Sequence, residues 1–461
     1  MAYTTINKST DHFNTKLYTG NGSAGNAITG VGFQPDFLWI KNRSQADWHQ
    51  LFNSVRGASN VLYSNETSGE SSASTSFASF DSDGFTVNAN DGTNGNGENL
   101  VAWNWKAGGT APEITYAVKV VSDSGNKFRF DDFGSSAVTL DLQEGGVYTF
   151  DQSDSSNSGH PLRFSTTSDG THGGGSAYTT GVVVSGTPGS SGAKTVITVA
   201  GSAPTLYYYC ANHSGMGGQA NTNSTFGSSN FAGSIQSTVS ANTIAGVSVV
   251  KWDGNGVAGA SIGHGLGDVA KMIIVKRINT GGNNWTVYHA SLGNTHRLEL
   301  NTTTASTSDA GAWNNQTPTS TVFYTGNNLT VGNNGSTYIA YCFTEKTGFS
   351  KISSYAGNQD ANGTFVFTGF KPAFVLSKDS TGAGENWFIH DDKRDTYNPV
   401  DTYLRPNLSN AEGTASHYDF LSNGFKNRYA GGSLNSSGRT YIYYAIGQAF
   451  VGSNNIVVTA R

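Results

Sequence analysis

Charge is scarce in this chain. Only 13% of its 461 residues are Asp, Glu, Lys or Arg, against roughly 25% in typical proteins. The formal balance is −5, so no basic footprint exists to hold a phosphate backbone, and a dedicated nucleic-acid binder is excluded. Cysteine is scarcer still. Cys210 and Cys342 lie far apart in the sequence, which excludes a disulfide scaffold. Cys342, in the apolar run YIAYCF, reads as a small buried core residue. No apolar run approaches the ~20 residues that a membrane span needs. The opening MAYTTINKSTDHF has no apolar h-region, so no secretory signal and no membrane insertion are expected. Common catalytic signatures are missing too: no Gly-x-Ser-x-Gly elbow, no phosphate loop and no His-Glu-x-x-His helix.

What is present is glycine, with 59 residues, together with 12% aromatics and much Asn, Ser and Thr. Such a chain reads as short strands joined by tight turns, with aromatic and β-branched residues forming thin cores. Helical periodicity of useful length is absent. The expected fold class is all-β.

Self-similarity divides the chain. An aromatic-x-Gly-Asn turn occurs at Tyr18–Asn21, Trp252–Asn255 and Tyr355–Asn358. A lysine ending an apolar strand follows at Lys41, Lys276 and Lys378, and a tryptophan after that at Trp48, Trp285 and Trp387. An aromatic closing strand ends each unit, around Trp103, Tyr341 and Tyr444. Four anchors in register three times mark homologous domains of a size suited to independent folding. The first and third copies also share Gly-Phe-x-Pro, at Gly32–Pro35 and Gly369–Pro372. In FLWIKN and FVLSKD the two-residue alternation is weak, so these strands are expected to be buried on both sides. Each copy reads as a jelly-roll-like β-sandwich. The three tryptophans are expected at equivalent core positions, and the three lysines in a solvated or salt-bridged structural role.

The segments GFQPDFLWIKNR, SFDSDGFTV and NLVAWNWKAGG resemble a glycine- and aromatic-rich domain of marine phage structural proteins. The first copy fits that pattern most closely; the second lacks Gly-Phe-x-Pro and the third ends differently. The resemblance implies a virion component of tail-fibre or spike type, made in the host cytoplasm. It implies no known active site.

Between the first and second copies lies different chemistry. YYYCANHSGMGG places Cys210, His213 and Met216 on one short loop, and NSGHPLRF supplies His160 upstream. A thiolate, two imidazoles and a weak axial thioether form the ligand set of a blue-copper site. Leu206, Tyr208 and Cys210 alternate on one side of a strand, as do Leu162 and Phe164 after His160. The segment from about Ile114 to Gly218 resembles a cupredoxin domain with a short Cys-x-x-His-x-x-Met loop. The resemblance implies a Greek-key sandwich with copper held by His160, Cys210, His213 and Met216. It departs from the family at Pro161, where members usually carry a polar residue that braces the cysteine loop; Asn157 and Asn212 are the candidate substitutes. The other reading is a sandwich of that shape whose ligand residues are merely packed.

Other motifs read as structure. Asp81-Ser82-Asp83-Gly84 lacks the later glutamate of a calcium loop and reads as a turn. His49, His289 and His390 follow the tryptophans at drifting offsets, which argues against a shared catalytic histidine. Asp391, Asp392 and Asp395 cluster on one charged turn, which does not make a glycosidase pair. His172 and the glycines after it form a glycine-rich loop without a nucleophile.

The expected layout is a β-sandwich repeat over residues 1–111, a cupredoxin-like domain over 112–218 and a Gly/Ser/Asn-rich flexible linker over 219–246. Two further repeats then follow over 247–348 and 349–461. The terminal IVVTA either completes the third repeat or pairs with a neighbouring chain. The expected function is non-enzymatic: a structural, adhesive fibre or spike subunit of the virion that contacts other virion proteins and a host receptor or glycan. A homo-oligomer, first of all a homotrimer, is expected. The alternatives are a polysaccharide-degrading tailspike and a copper electron-transfer protein.

Overall fold

The three aromatic closing segments become inner strands of three large sheets. In the first repeat Asn99–Trp105 lies between Phe13–Thr19 and Phe37–Asn42, and the sheet continues through Gln50–Asn53, Asn60–Tyr63 and Ser71–Ser72. In the second, Thr337–Phe343 lies between Val247–Asp253 and Met272–Arg277, followed by Thr286–His289, His296–Glu299 and Thr307–Ser308. In the third, Thr440–Gly447 lies between Ser350–Ala356 and Pro372–Asp379, followed by Trp387–Asp391. The strand order is the same each time. Trp103 sits opposite Trp39, Tyr341 opposite Ile274 and Tyr444 opposite Leu376, as equivalence requires. These features come from a computed structural model that describes residues 4–109, 111–222 and 226–448; the IVVTA run lies outside the described residues. Among the described residues no helix is long and apolar enough to cross a membrane.

The chain divides into two compact units. One holds the residues up to Ala107, Ala241–Ala260 and those from His264 onward; the other holds Gly108–Ser240 with Ser261–Gly263. The strands named above all belong to the first unit. The reason is visible in FLWIKN, every residue of which is buried. Leu38, Ile40, Phe52, Leu100 and Ala102 face a small second sheet carrying Phe77 and Phe85, and so form a sandwich core. On the other face Phe37, Trp39, Leu51, Trp103 and Trp105 join Ile274, Trp285 and Tyr341 of the second repeat and Phe374, Trp387 and Tyr444 of the third. Three sandwiches therefore share one central core, where independent domains were expected. The third repeat has a sandwich core of its own around Phe388, Tyr418, Phe425 and Tyr443.

The seams between repeats follow one pattern, head to tail. Trp285 Nε1 of the second repeat donates to the Tyr63 carbonyl of the first at 2.9 Å, and Trp387 Nε1 of the third donates to the Glu299 carbonyl of the second at 2.9 Å. The first repeat closes the ring on the third: Ser64 Oγ donates to the Pro406 carbonyl at 2.7 Å, and Arg43 pairs with Glu412 at 2.8 Å. Two further bonds pair buried polar groups across the seams. Asn53 Nδ2 donates to Tyr341 Oη at 2.9 Å, and Trp103 Nε1 donates to Asp391 Oδ2 at 3.0 Å. Ring contacts add to this, with Phe37 stacked on Tyr341 at 4.0 Å and Phe343 against Tyr444 at 4.8 Å between centroids.

Register corrects one expected equivalence. Lys378 pairs with Trp387, and extending the pairs Ile40–Gln50 and Val275–Thr286 by one residue puts His49 and Trp285 in the same place. Their backbone N–H groups agree, donating to Asn65, Asn301 and Asn407 side chains at 3.1, 2.9 and 3.0 Å. His49, not Trp48, therefore fills the core slot of the first repeat. It accepts from Trp39 Nε1 at 2.9 Å, whereas Trp48 is 47% exposed. The loop between the lysine and the slot is one residue shorter here, and the slot holds histidine, with the tryptophan one position before it.

The three lysines are also not solvated. All are buried, and each ammonium is capped by backbone carbonyls: Lys41 by Gln45 at 3.0 Å, Lys276 by Asn283 at 2.6 Å and Lys378 by Glu385 at 2.9 Å. Burial lowers each pKa to about 8. The aromatic-x-Gly-Asn turn has a steric cause. A Cβ at Gly20, Gly254 or Gly357 would lie 2.2–2.4 Å from a carbonyl oxygen of Gly95, Asn333 or Ser436, so only glycine fits.

The second unit is a two-sheet sandwich. One sheet runs Asn126–Phe130, Glu113–Ser122, Val147–Asp151, Lys194–Thr198, Val182–Ser185, and the other Leu140–Asp141, Gly218–Asn221, Leu206–Cys210, Leu162–Ser165. Each sheet contains one parallel pairing, Glu113–Ser122 with Val147–Asp151 and Leu140–Asp141 with Gly218–Asn221. Phe128, Phe130, Phe150, Phe164 and Tyr208 fill the space between. The unit runs past residue 218. Where a flexible linker was expected, Gly218–Asn221 and Ser228–Asn230 are strands and Phe231 is buried. Tyr148 Oη and Ser228 Oγ lie 2.7 Å apart, and Tyr116 Oη donates to the Ser229 carbonyl at 2.8 Å, fixing this stretch to the core.

Candidate metal centre

Leu162–Ser165 and Leu206–Cys210 pair antiparallel, with Leu162 opposite Cys210. His160 precedes the first strand and the cysteine loop follows the second, so both ends meet at one edge of the sandwich. Ala211 N donates to the Pro161 carbonyl at 2.9 Å and extends the pairing by one step beyond the strands. The loop returns at Gly217, where a Cβ would lie 1.7 Å from the Tyr208 carbonyl. Only glycine allows that close approach.

Three of the four predicted ligands converge. Cys210 Sγ lies 3.7 Å from His160 Nδ1 and 3.7 Å from His213 Nδ1. All three donor atoms lie within 4.8 Å of one another, with the two imidazole centroids 4.6 Å apart. Metal bonds of about 2.0 Å to nitrogen and about 2.3 Å to sulfur, at tetrahedral to trigonal angles, separate N and S by about 3.5–3.7 Å. Both sulfur-to-nitrogen separations are those of ligands around one ion. Met216 is buried in the core cluster that contains Cys210, and its carbonyl accepts from Phe128 N at 3.0 Å.

Exposure grades across the site. Cys210 is buried, His160 half-buried and His213 exposed, so the histidines form the open side of the cluster. Burial raises the Cys210 pKa, while the backbone N–H groups of Asn212 and His213 pull it back down. Burial and then the neighbouring His213 lower the His160 pKa, leaving a neutral imidazole free to ligate.

The brace that Pro161 put in doubt comes from elsewhere. Asn212 Nδ2 donates to the Gly159 carbonyl at 2.9 Å and ties the cysteine loop to the histidine turn. Asn157, the other candidate, instead donates to the Val118 carbonyl at 2.7 Å. Gln152 spans the proline, with Nε2 donating to the His160 carbonyl at 2.8 Å and Oε1 accepting from Leu162 N at 3.0 Å. Two further supports carry little trace in the sequence. His172 Nε2 lies 3.1 Å from the Cys210 carbonyl, and Asp169 accepts from Gly215 N at 2.9 Å and from Ser214 Oγ at 2.5 Å. The only signal for them is the turn chemistry of Ser-Asp-Gly-Thr-His.

The remaining candidates are engaged elsewhere. Asp83 accepts from Gly30 N and Gly32 N at 2.9 and 2.7 Å, and these bonds lower its pKa as a turn carboxylate. Asp391 pairs with Arg394 at 2.6 Å inside a seam, Asp392 accepts from Gln448 at 2.7 Å, and Asp395 accepts from Thr402 N at 2.7 Å. His49, His289 and His390 are all buried and occupy three different register positions.

The part of the chain outside the histidine and cysteine loops matches a known family. Residues 8–139 and 219–449 match the family described as a domain of unknown function (DUF7483). This chain belongs to that family. The unmatched gap, 140–218, contains His160, Cys210, His213 and Met216, so the metal-ligand chemistry lies outside what defines the family. No curated protein and no solved structure matches the chain.

Proposed function

We propose that the chain is a structural, adhesive component of a phage particle, with its three-repeat body as a rigid mount. The observation carrying this reading is the closed ring of seams around one central core. Ion pairs and buried amides that could line a catalytic cleft are spent instead on joining repeats. The resemblance of GFQPDFLWIKNR and NLVAWNWKAGG to phage structural domains supplies the particle context. Oligomerisation as a homotrimer remains part of the proposal. It would have to use a surface other than the seams, since those are satisfied within one chain. Mass spectrometry of gradient-purified particles should find the chain in stoichiometric amount, and antibody against it should block adsorption to the host. Its absence from purified particles would reject the reading.

A second reading rests on the converged donors. The sandwich would hold one copper ion through His160, Cys210 and His213, with Met216 the thioether that the cupredoxin resemblance adds to the set. The set fits because each imidazole nitrogen already stands at ligand spacing from the sulfur. Copper would supply redox chemistry and a positive charge that stabilises the Cys210 thiolate. The residues supply orientation: Asn212 and His172 fix the loop, and burial keeps water from the sulfur. Addition of Cu(II) should give an intense thiolate charge-transfer colour that Cys210→Ser abolishes. Colourless binding, or the same spectrum in Cys210→Ser, would reject a blue-copper site.

A further inference from the structure

The tryptophan displaced from the core of the first repeat points to a ligand site. Trp48 occupies the position held by Asn284 and Asn386 in the other repeats, one residue before the core slot. In those repeats the asparagine ties two loops together. Asn301 Nδ2 donates to Asn284 Oδ1 at 2.8 Å, and Asn407 Nδ2 donates to Asn386 Oδ1 at 2.7 Å. An indole cannot accept that bond, and Asn65 makes only a 3.4 Å contact with Glu66. The first repeat has given up a hydrogen bond for an exposed aromatic face. A second substitution accompanies it. Tyr63 stands where the others have Glu299 and Arg405, and its ring meets Trp48 at 4.8 Å in edge contact.

Around this pair lies a cleft of about 370 Å³ lined also by Asp47, Gln50, Asn90 and Asp91. Its size falls in the range of about 300–1,000 Å³ that small ligands fill. The polar walls are held in place: Gln50 Nε2 donates to Asn90 Oδ1 at 2.9 Å, and Asn42 Nδ2 donates to Asp47 Oδ2 at 2.9 Å. Gln50 is 5% exposed, and its Oε1 has no hydrogen-bond partner among the described residues. No cationic side chain among the described residues lines the cleft, so an anionic ligand is unsuited.

We propose that this cleft binds a neutral hexopyranose unit of a glycan. A pyranose ring offers an apolar C–H face that stacks on the Trp48 indole, and a rim of hydroxyls that donate to carboxylate and amide oxygens. The proposal deepens the attachment reading above but concerns the isolated chain, so its failure leaves the particle location standing. Affinity for one ring is weak, and several copies on a particle would multiply it.

The test is a titration of the intact chain, followed by tryptophan fluorescence and calorimetry, with glucose, galactose, N-acetylglucosamine and lactose. At least one sugar should bind saturably in the millimolar range. Trp48→Asn restores the residue of the other repeats and the bond to Asn65, so the fold and melting temperature should be kept. Its affinity should drop by at least about tenfold. Asp47→Asn should weaken binding without loss of fold. Three outcomes would overturn the proposal: no sugar of the four binding below about 50 mM, Trp48→Asn binding as tightly as the parent, or choline binding in place of sugar. The last would make the site a cation cage.

Discussion

At the residue scale the most consequential group is the buried indole N–H. Trp285 ends on the Tyr63 carbonyl of the neighbouring repeat, and its ring fills the central core. Trp285→Phe removes the shorter of that carbonyl's two bonds, leaving the 3.3 Å one from Glu66 N, and opens a void beside it, so a loss of about 2–3 kcal/mol in urea denaturation is expected. The buried lysines predict a pH effect with a definite sign. Their folded pKa values are about 8, below the 10.5 of an unfolded lysine. Between those values unfolding takes up protons, so stability should rise with pH from about 8 toward 10. Below pH 8 the full penalty of burying three ammoniums is present. Lys276→Met should flatten that slope by its own share, measured as denaturation midpoints at several pH values. The lysines were legible as a recurring feature, but not as buried. Carbonyls of the following loop satisfy them, and a backbone acceptor leaves no trace in the side-chain sequence.

Elements add a second layer of constraint. At Gly20, Gly254 and Gly357 any Cβ meets a carbonyl of the loop that precedes the closing strand. Alanine at any one should cost about 2 kcal/mol, with similar losses at all three because the contact is the same. Asn212 plays the comparable part in the sandwich. Asn212→Ala should weaken copper by about 10–100-fold in a competition assay while the thermal midpoint of the copper-free chain barely moves. Much of this layer could be read in advance. The weak alternation of FLWIKN announced burial on both faces, and the Leu206, Tyr208, Cys210 alternation aimed the thiol inward. The strands within 219–246 could not be read. Ser228–Asn230 pairs through backbone groups, and a Ser/Asn/Gly composition looks the same in a ladder as in a linker. His49 reads as a neighbour of the repeated tryptophan and not as the core residue for a related reason: the spacing from lysine to tryptophan, 7 residues against 9, does not say which of two adjacent residues faces the core.

For the whole molecule, the shared core predicts cooperativity. The three repeats should unfold in a single transition by fluorescence and by hydrogen exchange alike, since opening one repeat strips the inner face of the other two. Separate transitions would show that the seams contribute little. The sandwich should respond to copper alone, gaining about 2.7 kcal/mol at a hundredfold excess of free ion over Kd. That the repeats exist was plain from their anchors; that they fuse was not. The residues filling the centre are the same apolar positions that any double-faced strand would show, and periodicity does not name the neighbour. The covalent link between repeats has a genetic consequence. In an assembly of identical subunits a substitution strikes every interface at once, so an interface can change only if all copies tolerate it. Here each seam is encoded separately. One slot can hold histidine while its counterparts keep tryptophan, and an outer loop of one repeat can drift toward a new ligand while the other two hold the ring closed.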